Sequence, residues 1–449
     1  MPGRSLAPTE PSTVPVWYRG DAYRQAKGFL DATHRACAPE ETSERISPLL
    51  PWAGITRLAD VTGLDRVGVP TILAMRPNAP TLANSSGKGF TLSAAKVSAA
   101  MEGIELHCAE EDHRFTSERL RATHRDLVQA GLAIEAELLP LSRFSLFHED
   151  VAEDWVLGWD LIGQREIAVP FEIVSMASGL ERRSTHFSFQ VGSNGLASGN
   201  VFLEAVCSGL AEVIERDAVT TAVLRARHGP GNLEEVDLRT VVFDRVRELL
   251  ARLERAGISP VLFDCTADTG VPAFMSYLLD REVPATGTFR GYGAHLDPEV
   301  AMVRALTESI QSRAVYIAGS RDDLMVLEHR RLRRSRAGIR AGEGTPQRVG
   351  EKDASAMTSQ ATQTFEGDCQ AMLRALQDVG LSSAVVVDLT LPELGIPVVK
   401  VVVPGLEGYS SFSYFKPGPR GRAAITGALA GPKARPSPPI DHARGRAPS

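Results

Sequence analysis

Cysteine is scarce and scattered. The 449-residue chain carries only Cys37, Cys108, Cys207, Cys265 and Cys369, an odd number with no CxxC pair. That usage excludes a zinc ribbon or a disulfide framework and points to a reducing compartment, so a cytoplasmic location is expected. Long apolar runs are missing too: none approaches the ~18–20 residues of a membrane span, and Met1 to Pro15 lacks the apolar centre of a signal peptide. There is no excess of positive charge, the net charge being −6, so the whole molecule is not a nucleic-acid polycation. The phosphate loop GxxxxGK[ST], the GxSxG nucleophile elbow and the HExxH metal motif are all absent.

What is present suits a folded protein with a substantial core, at 43% hydrophobic and 23% charged residues. The length allows two or three domains or one large α/β unit. Val69–Met75, Val261–Phe263, Phe274–Leu279, Ala384–Leu389 and Val398–Val403 read as short buried strands between helical patterns. Residues 1–20 and 421–449 read as disordered tails around a domain over 21–420. Residues 329–340 carry six arginines and open a loop-rich insertion to about residue 363. That segment is a solvated helix end or a docking surface for an acidic partner.

The most informative stretch is Ser193–Asp217, SNGLASGNVFLEAVCSGLAEVIERD. Asn200 is a good N-cap for a helix running to about Arg227. At about 100° per residue, with Glu204 at zero, Glu212 falls near 80°, Glu215 near 20° and Asn200 near −40°. Ser208 and Ala211 share that stripe, while Phe202, Leu203, Val206, Leu210 and Val213 form the opposite face. Like charges on one face repel. Mg²⁺ would compensate them, since it takes carboxylate oxygens and phosphates together; an acidic solvated face paired with Arg216 is the alternative. The stretch contains no lysine, which a solvated face usually mixes in.

Two further helices repeat the pattern. Residues 94–111 carry Glu102 and Glu105 at i, i+3, after a Gly-rich loop over Ser85–Gly89 whose N–H groups could cradle an anion. The helix from Glu299 to about Gly319 carries Arg304, Glu308 and Gln311 on one face, with Met302, Leu306 and Ile310 on the other. His295, just before it, is a proton shuttle or a loop histidine. Cys207 reads as a small buried hydrophobe rather than a sulfur carrier, and Asp217 as a residue that orients Arg216.

SNGLASGN…EAVCSGLAEVIERD, GKGFTLSAAKVSAAMEGIE, GAHLDPEVAMVRALTESIQSR and ITRLADVTGLDRVGVPTILAMRP together resemble the YcaO family over roughly residues 30–415. The resemblance implies an α/β fold of mixed sheets packed by helices, with a non-P-loop ATP site between them. Carried over by motif, Glu102, Glu105, Glu212 and Glu215 would hold Mg²⁺. Arg35, Thr42, Asn200, Glu204, Arg216, Arg304, Glu308 and Gln311 would bind ATP, with Arg216, Arg304 and Glu308 also catalytic. Ala197 stands where some members carry a serine that contacts the nucleotide.

The implied chemistry is ATP-dependent activation of a peptide backbone amide. A neighbouring Cys, Ser or Thr then gives an azoline, sulfide a thioamide and an amine an amidine. VTGLDRVGVP, VVPGLEG and PGPR resemble members associated with TfuA, and the PxPxP ending of many azoline-forming members is absent. Thioamide formation on a peptide or protein is therefore ranked above cyclodehydration. The expected partner is a TfuA-like or leader-peptide-recognition protein, since residues 1–30 are too short for a recognition module. Homodimerisation stays open. Rival classes are a non-catalytic nucleotide-binding or peptide-docking subunit and a metal-dependent hydrolase.

Overall fold

The computed structural model describes residues 14–110, 119–176, 188–283, 287–320, 350–408 and 415–429. Among them are nine α-helices: α1 (Pro39–Ile46), α2 (Leu92–Glu110), α3 (His124–Gln129), α4 (Phe171–Val174), α5 (Phe202–His228), α6 (Asp244–Arg255), α7 (Pro298–Ile317), α8 (Phe365–Gln377) and α9 (Pro419–Thr426). Three sheets carry them. A six-stranded sheet runs Arg165–Pro170, Ala152–Asp160, Val385–Asp388, Val398–Val402, Leu196–Ser198, with Leu120–Thr123 also paired to Ala152–Asp160. A four-stranded sheet runs Glu234–Glu235, Ile258–Asp264, Ala273–Asp280, Thr288–Ala294. A three-stranded sheet runs Arg57–Asp60, Thr71–Met75, Asn84–Lys88. Every ladder between these strands is antiparallel. The helix-and-sheet architecture is the α/β class expected; the strand order was not readable from the sequence.

Helix α5 is the centre of the molecule. Leu203, Leu210 and Ile214 are fully buried against Val399 and Val401 of the six-stranded sheet and against Cys369 and Met372 of α8. Each such side chain stabilises the fold by about 1.5–3 kcal/mol. The polar stripe is inward as well, Glu204 and Glu215 each being 3% exposed. A helix buried on nearly all sides belongs in the middle of a large domain.

Helices α2 and α7 lie on their sheets by close backbone approach. A Cβ on Gly87 would come within 2.3 Å of the Ala95 carbonyl oxygen, and one on Gly291 within 2.1 Å of the Ala305 oxygen. Only glycine fits at such distances. Ala95, Ala99 and Ala100 of α2 and Ala301 and Ala305 of α7 complete these thin interfaces. Thin interfaces bring the outward faces of both helices close to α5.

Three boundaries differ from the sequence expectation. Val16–Tyr18 pairs with Asp21–Tyr23, and Val16 and Tyr18 are buried, the Tyr18 ring lying 4.7 Å from that of Phe202. The fold therefore starts before residue 20. At the other end α9 continues past residue 420, because Arg420 is held by Asp217 and Asp268 in the core. Residues 350–363, expected as loop-rich insertion, dock on the four-stranded sheet through a Val236–Lys352 bridge and buried Ala354. The arginine segment 329–340 lies outside the described residues.

Candidate functional site

The N-terminal turn of α5 is gripped by the strand His34–Arg35 and by α1. Arg35 Nη1 lies 3.4 Å from Glu204 Oε1 and 3.5 Å from Ser208 Oγ, and the Ala36 N–H donates to Glu204 Oε2 at 3.0 Å. Thr42 Oγ1 donates to Asn200 Oδ1 at 2.9 Å. Arg45 spans the Asn200 carbonyl and Oδ1, both at 3.0 Å. Asn200 Nδ2 in turn lies 3.3 Å from Glu204 Oε2. Asn200 is not the N-cap: Val201 takes that place, and the Asn200 side-chain oxygen already accepts from Thr42 and Arg45. Arg45 escaped the sequence reading; its position three residues after Thr42 on a Pro-started helix was the available signal.

Two to three turns further along α5, carboxylates gather from three helices. Glu102 of α2 accepts from the Ser86 N–H at 3.2 Å. Glu105 accepts from the Ser198 N–H at 2.8 Å and its hydroxyl at 2.6 Å. Glu215 accepts from the Ala294 N–H at 3.1 Å and lies 3.7 Å from Arg216, whose guanidinium stands 5.3 Å from the Tyr292 ring centre.

Burial is the main force on the acids: it lifts Glu105 to about 8, Glu102 and Glu215 to about 7, and raises Glu212 too. The acids also raise one another. Glu308 and Glu212 act on Glu102, Glu102 and Glu212 on Glu105, and Glu308 on both Glu212 and Glu215. Lys88 opposes this at Glu102, Arg216 and Arg304 at Glu212 and Glu215, and Lys400 at Glu212. These effects put Arg304 and Glu308 of α7 in the same cluster. Glu102, Glu105, Glu212, Arg304 and Glu308 are deep in the protein yet keep partial exposure, so they line a cleft.

Gln311 does something more structural than the sequence suggested. Its Nε2 donates to the Ser86 carbonyl at 2.5 Å and its Oε1 accepts from Lys88 at 2.8 Å, tying α7 to the three-stranded sheet. The expected Gly-rich loop is the edge strand Asn84–Lys88 instead. Its residues alternate: Ser85 and Gly87 face α2, while Ser86 and Lys88 face the cleft. Asp217 pairs with Arg420 at 2.8 Å rather than orienting Arg216. Lys400 was missed. It is 1% exposed in the valine strand, donates to the Gly192 carbonyl at 2.5 Å, and is pulled down to about 8 by burial. A lone lysine in VVKVV was its signal.

This donor set fits a hard divalent cation. Oxygen ligands are gathered from separate helices, and backbone N–H groups orient Glu102, Glu105 and Glu215. Among the described residues the second oxygens of Glu102 and Glu105 have no donor. Bringing so many carboxylates together is costly without added positive charge.

The site is a carboxylate-lined cleft between three helices, in a chain without a phosphate-loop motif. The chain belongs to the YcaO family: the family model for YcaO cyclodehydratase, ATP- and Mg²⁺-binding, matches residues 86–407. ATP and Mg²⁺ are accordingly its cofactors. A protein of Methanothermobacter thermautotrophicus, described as uncharacterised, is 38% identical over 84% of this chain and 96% of its own length. An uncharacterised protein in the tfuA 3′ region of Rhizobium leguminosarum bv. trifolii is 34% identical over 91% of this chain and 97% of its own. YcaO from Methanopyrus kandleri, bound with AMPPCP and Mg²⁺, shares the fold with a TM-score of 0.64 at 24% identity, over 92% of this chain and all of that one. A heterocyclase in complex with substrate and cofactor has a TM-score of 0.74 at 24% identity; this chain covers 58% of its length. Among the described residues no helix is long and apolar enough to cross a membrane.

Proposed function

We propose that the protein activates a peptide backbone amide with ATP and that the activated amide is converted to a thioamide, with a TfuA-like protein as partner. The observation that carries the activation step is the meeting of Glu102, Glu105, Glu212, Glu215 and Glu308 with Arg216 and Arg304 on three helices. The relative in the tfuA 3′ region supports the choice of sulfur. The five free thiols support a cytoplasmic setting.

In this reading Glu102, Glu105, Glu212 and Glu215 hold Mg²⁺, which neutralises phosphate charge when bound. Arg35, Thr42, Asn200 and Glu204 orient the nucleoside end. Arg216 and Arg304 place fixed positive charge at the transferring phosphoryl group, where it acts without reorganisation. Glu308 faces the same cluster and orients the amide, and Gln311 fixes the height of α7. The balance is simple: amide, ATP and hydrosulfide become thioamide, ADP and phosphate, the amide oxygen leaving in the phosphate and the S–H proton with it.

The test is turnover with a candidate peptide, partner, ATP and sulfide, using ¹⁸O in the backbone carbonyl. Peptide-dependent ATP use with ¹⁸O in the phosphate is expected, together with exchange of one oxygen for one sulfur in the peptide. Peptide-independent ATP hydrolysis without label transfer would refute amide activation. The heterocyclase neighbour favours a second reading, azoline formation. Loss of water from the peptide without sulfide would select it.

A further inference from the structure

A small pocket lies between α5, α7 and α8, beside Arg304. His34, His295, Arg304, Cys207, Phe365 and Met372 are among its walls. Its volume is about 30 Å³, above the ~10–15 Å³ that a single water needs. It has room for a small species.

The hydrogen atoms of the two imidazoles are fixed by their neighbours. The Asp297 N–H donates to His295 Nδ1 at 2.9 Å. The Lys27 ammonium, which has no acceptor, donates to His34 Nδ1 at 3.1 Å. Each neutral ring therefore carries its proton on Nε2 and offers a donor. Burial keeps both rings neutral, pulling His34 down to about 3 and His295 well below the usual histidine range. The rings meet edge to face at 4.7 Å.

The nearby carboxylates are already satisfied. Asp368 accepts from Lys27 at 2.5 Å and from the Thr362 N–H at 2.7 Å. Glu204 is held by Ala36, Asn200 and Arg35. One atom each of His34, His295 and Asp368 lie within 4.8 Å of one another, but the Lys27 ammonium already supplies the cation there. Arg304 differs: among the described residues its side chain makes no hydrogen bond or ion pair, though it faces the carboxylate cluster. The remaining wall combines Arg35, Thr33 and Ser208 with the Cys207 thiol, Met372, Phe365 and Leu296. Two N–H donors, a guanidinium and polarisable walls suit a small, weakly hydrated anion better than water or a metal.

We propose that this pocket binds hydrosulfide, held by the Nε2–H groups of His34 and His295 and by Arg304, as the reservoir of the sulfur nucleophile. The proposal rests on the sulfur reading given above. Bromide, a heavy anion of similar size, is the probe. Crystals of the full chain soaked in bromide should show an anomalous peak in the pocket, beside the two imidazoles and Arg304, and anaerobic sodium hydrosulfide should displace it. No peak there, a peak that hydrosulfide leaves in place, or a transition metal found in the pocket by elemental analysis would each overturn the proposal. In turnover, His295→Phe should raise the sulfide KM about tenfold, as loss of one hydrogen bond to a charged ligand would. An unchanged sulfide KM also overturns it. If hydrosulfide displaces bromide but the peptide product is an azoline made without sulfide, the pocket stands and the thioamide reading fails.

Discussion

A carboxylate denied water keeps its proton longer, and Glu105 is the extreme case here, raised to about 8 by burial. Its pKa lies above the value in the unfolded chain, so its contribution to stability is complete below about pH 4.5 and is lost as pH rises toward 8. Glu102 and Glu215 act the same way up to about 7. The metal-free protein should therefore melt at lower temperature at pH 8 than at pH 5.5, and nucleotide with Mg²⁺ should flatten that slope. A melting temperature that rises over this interval would contradict the burial argument. Glu215→Gln keeps the shape and the bond from the Ala294 N–H. It should fold normally and lose ~10²–10³ in ATP turnover, the scale seen when one electrostatic contact is removed from a reacting centre. Near wild-type turnover in that variant would remove Glu215 from the machinery.

At the scale of elements, the three helices were legible because their apolar positions recur at 3–4 residues and their acids share one stripe. α2, α5 and α7 begin and end within about two residues of the expected limits, an ordinary margin. Helical spacing says which side chains share a face, but not what that face meets. The acidic stripe of α5 could therefore be read as a metal site or as a solvated face, and Glu204 and Glu215 are inside. The segment Ser85–Gly89 was misread because glycine and serine usually mark turns; here they are small for the sake of α2. Asp217 was misread because its partner, Arg420, is 203 residues away. The glycines give a direct test. Gly291→Ala would put a methyl 2.1 Å from the Ala305 oxygen and 2.3 Å from the Ser309 nitrogen, so α7 must shift. The cost should be about 1–3 kcal/mol, read by urea unfolding, with loss of nucleotide affinity because Arg304 and Glu308 move with the helix. Unchanged affinity would mean that α7 does not set the cleft.

The whole molecule is closed by contacts between segments far apart in the chain. Arg420 of α9 reaches Asp217 in α5 and Asp268, while Glu407 accepts from the Gly418 and Gly421 N–H groups. Arg420→Ala leaves a buried carboxylate unpaired and should cost about 3–5 kcal/mol. A loss below 1 kcal/mol in chemical denaturation would show that α9 is only loosely attached. Near the N-terminus, Lys27 is tied to Asp368, 341 residues away. These long links have a consequence for biosynthesis. Glu102, Glu215 and Glu308 leave the ribosome in turn, and Asp368 only after them, so the first part of the chain waits for the last. Contacts this distant in sequence form slowly, because loop closure comes before the contact that rewards it. A chain that stops short of Asp368 therefore lacks the partner of Lys27 and cannot close this link.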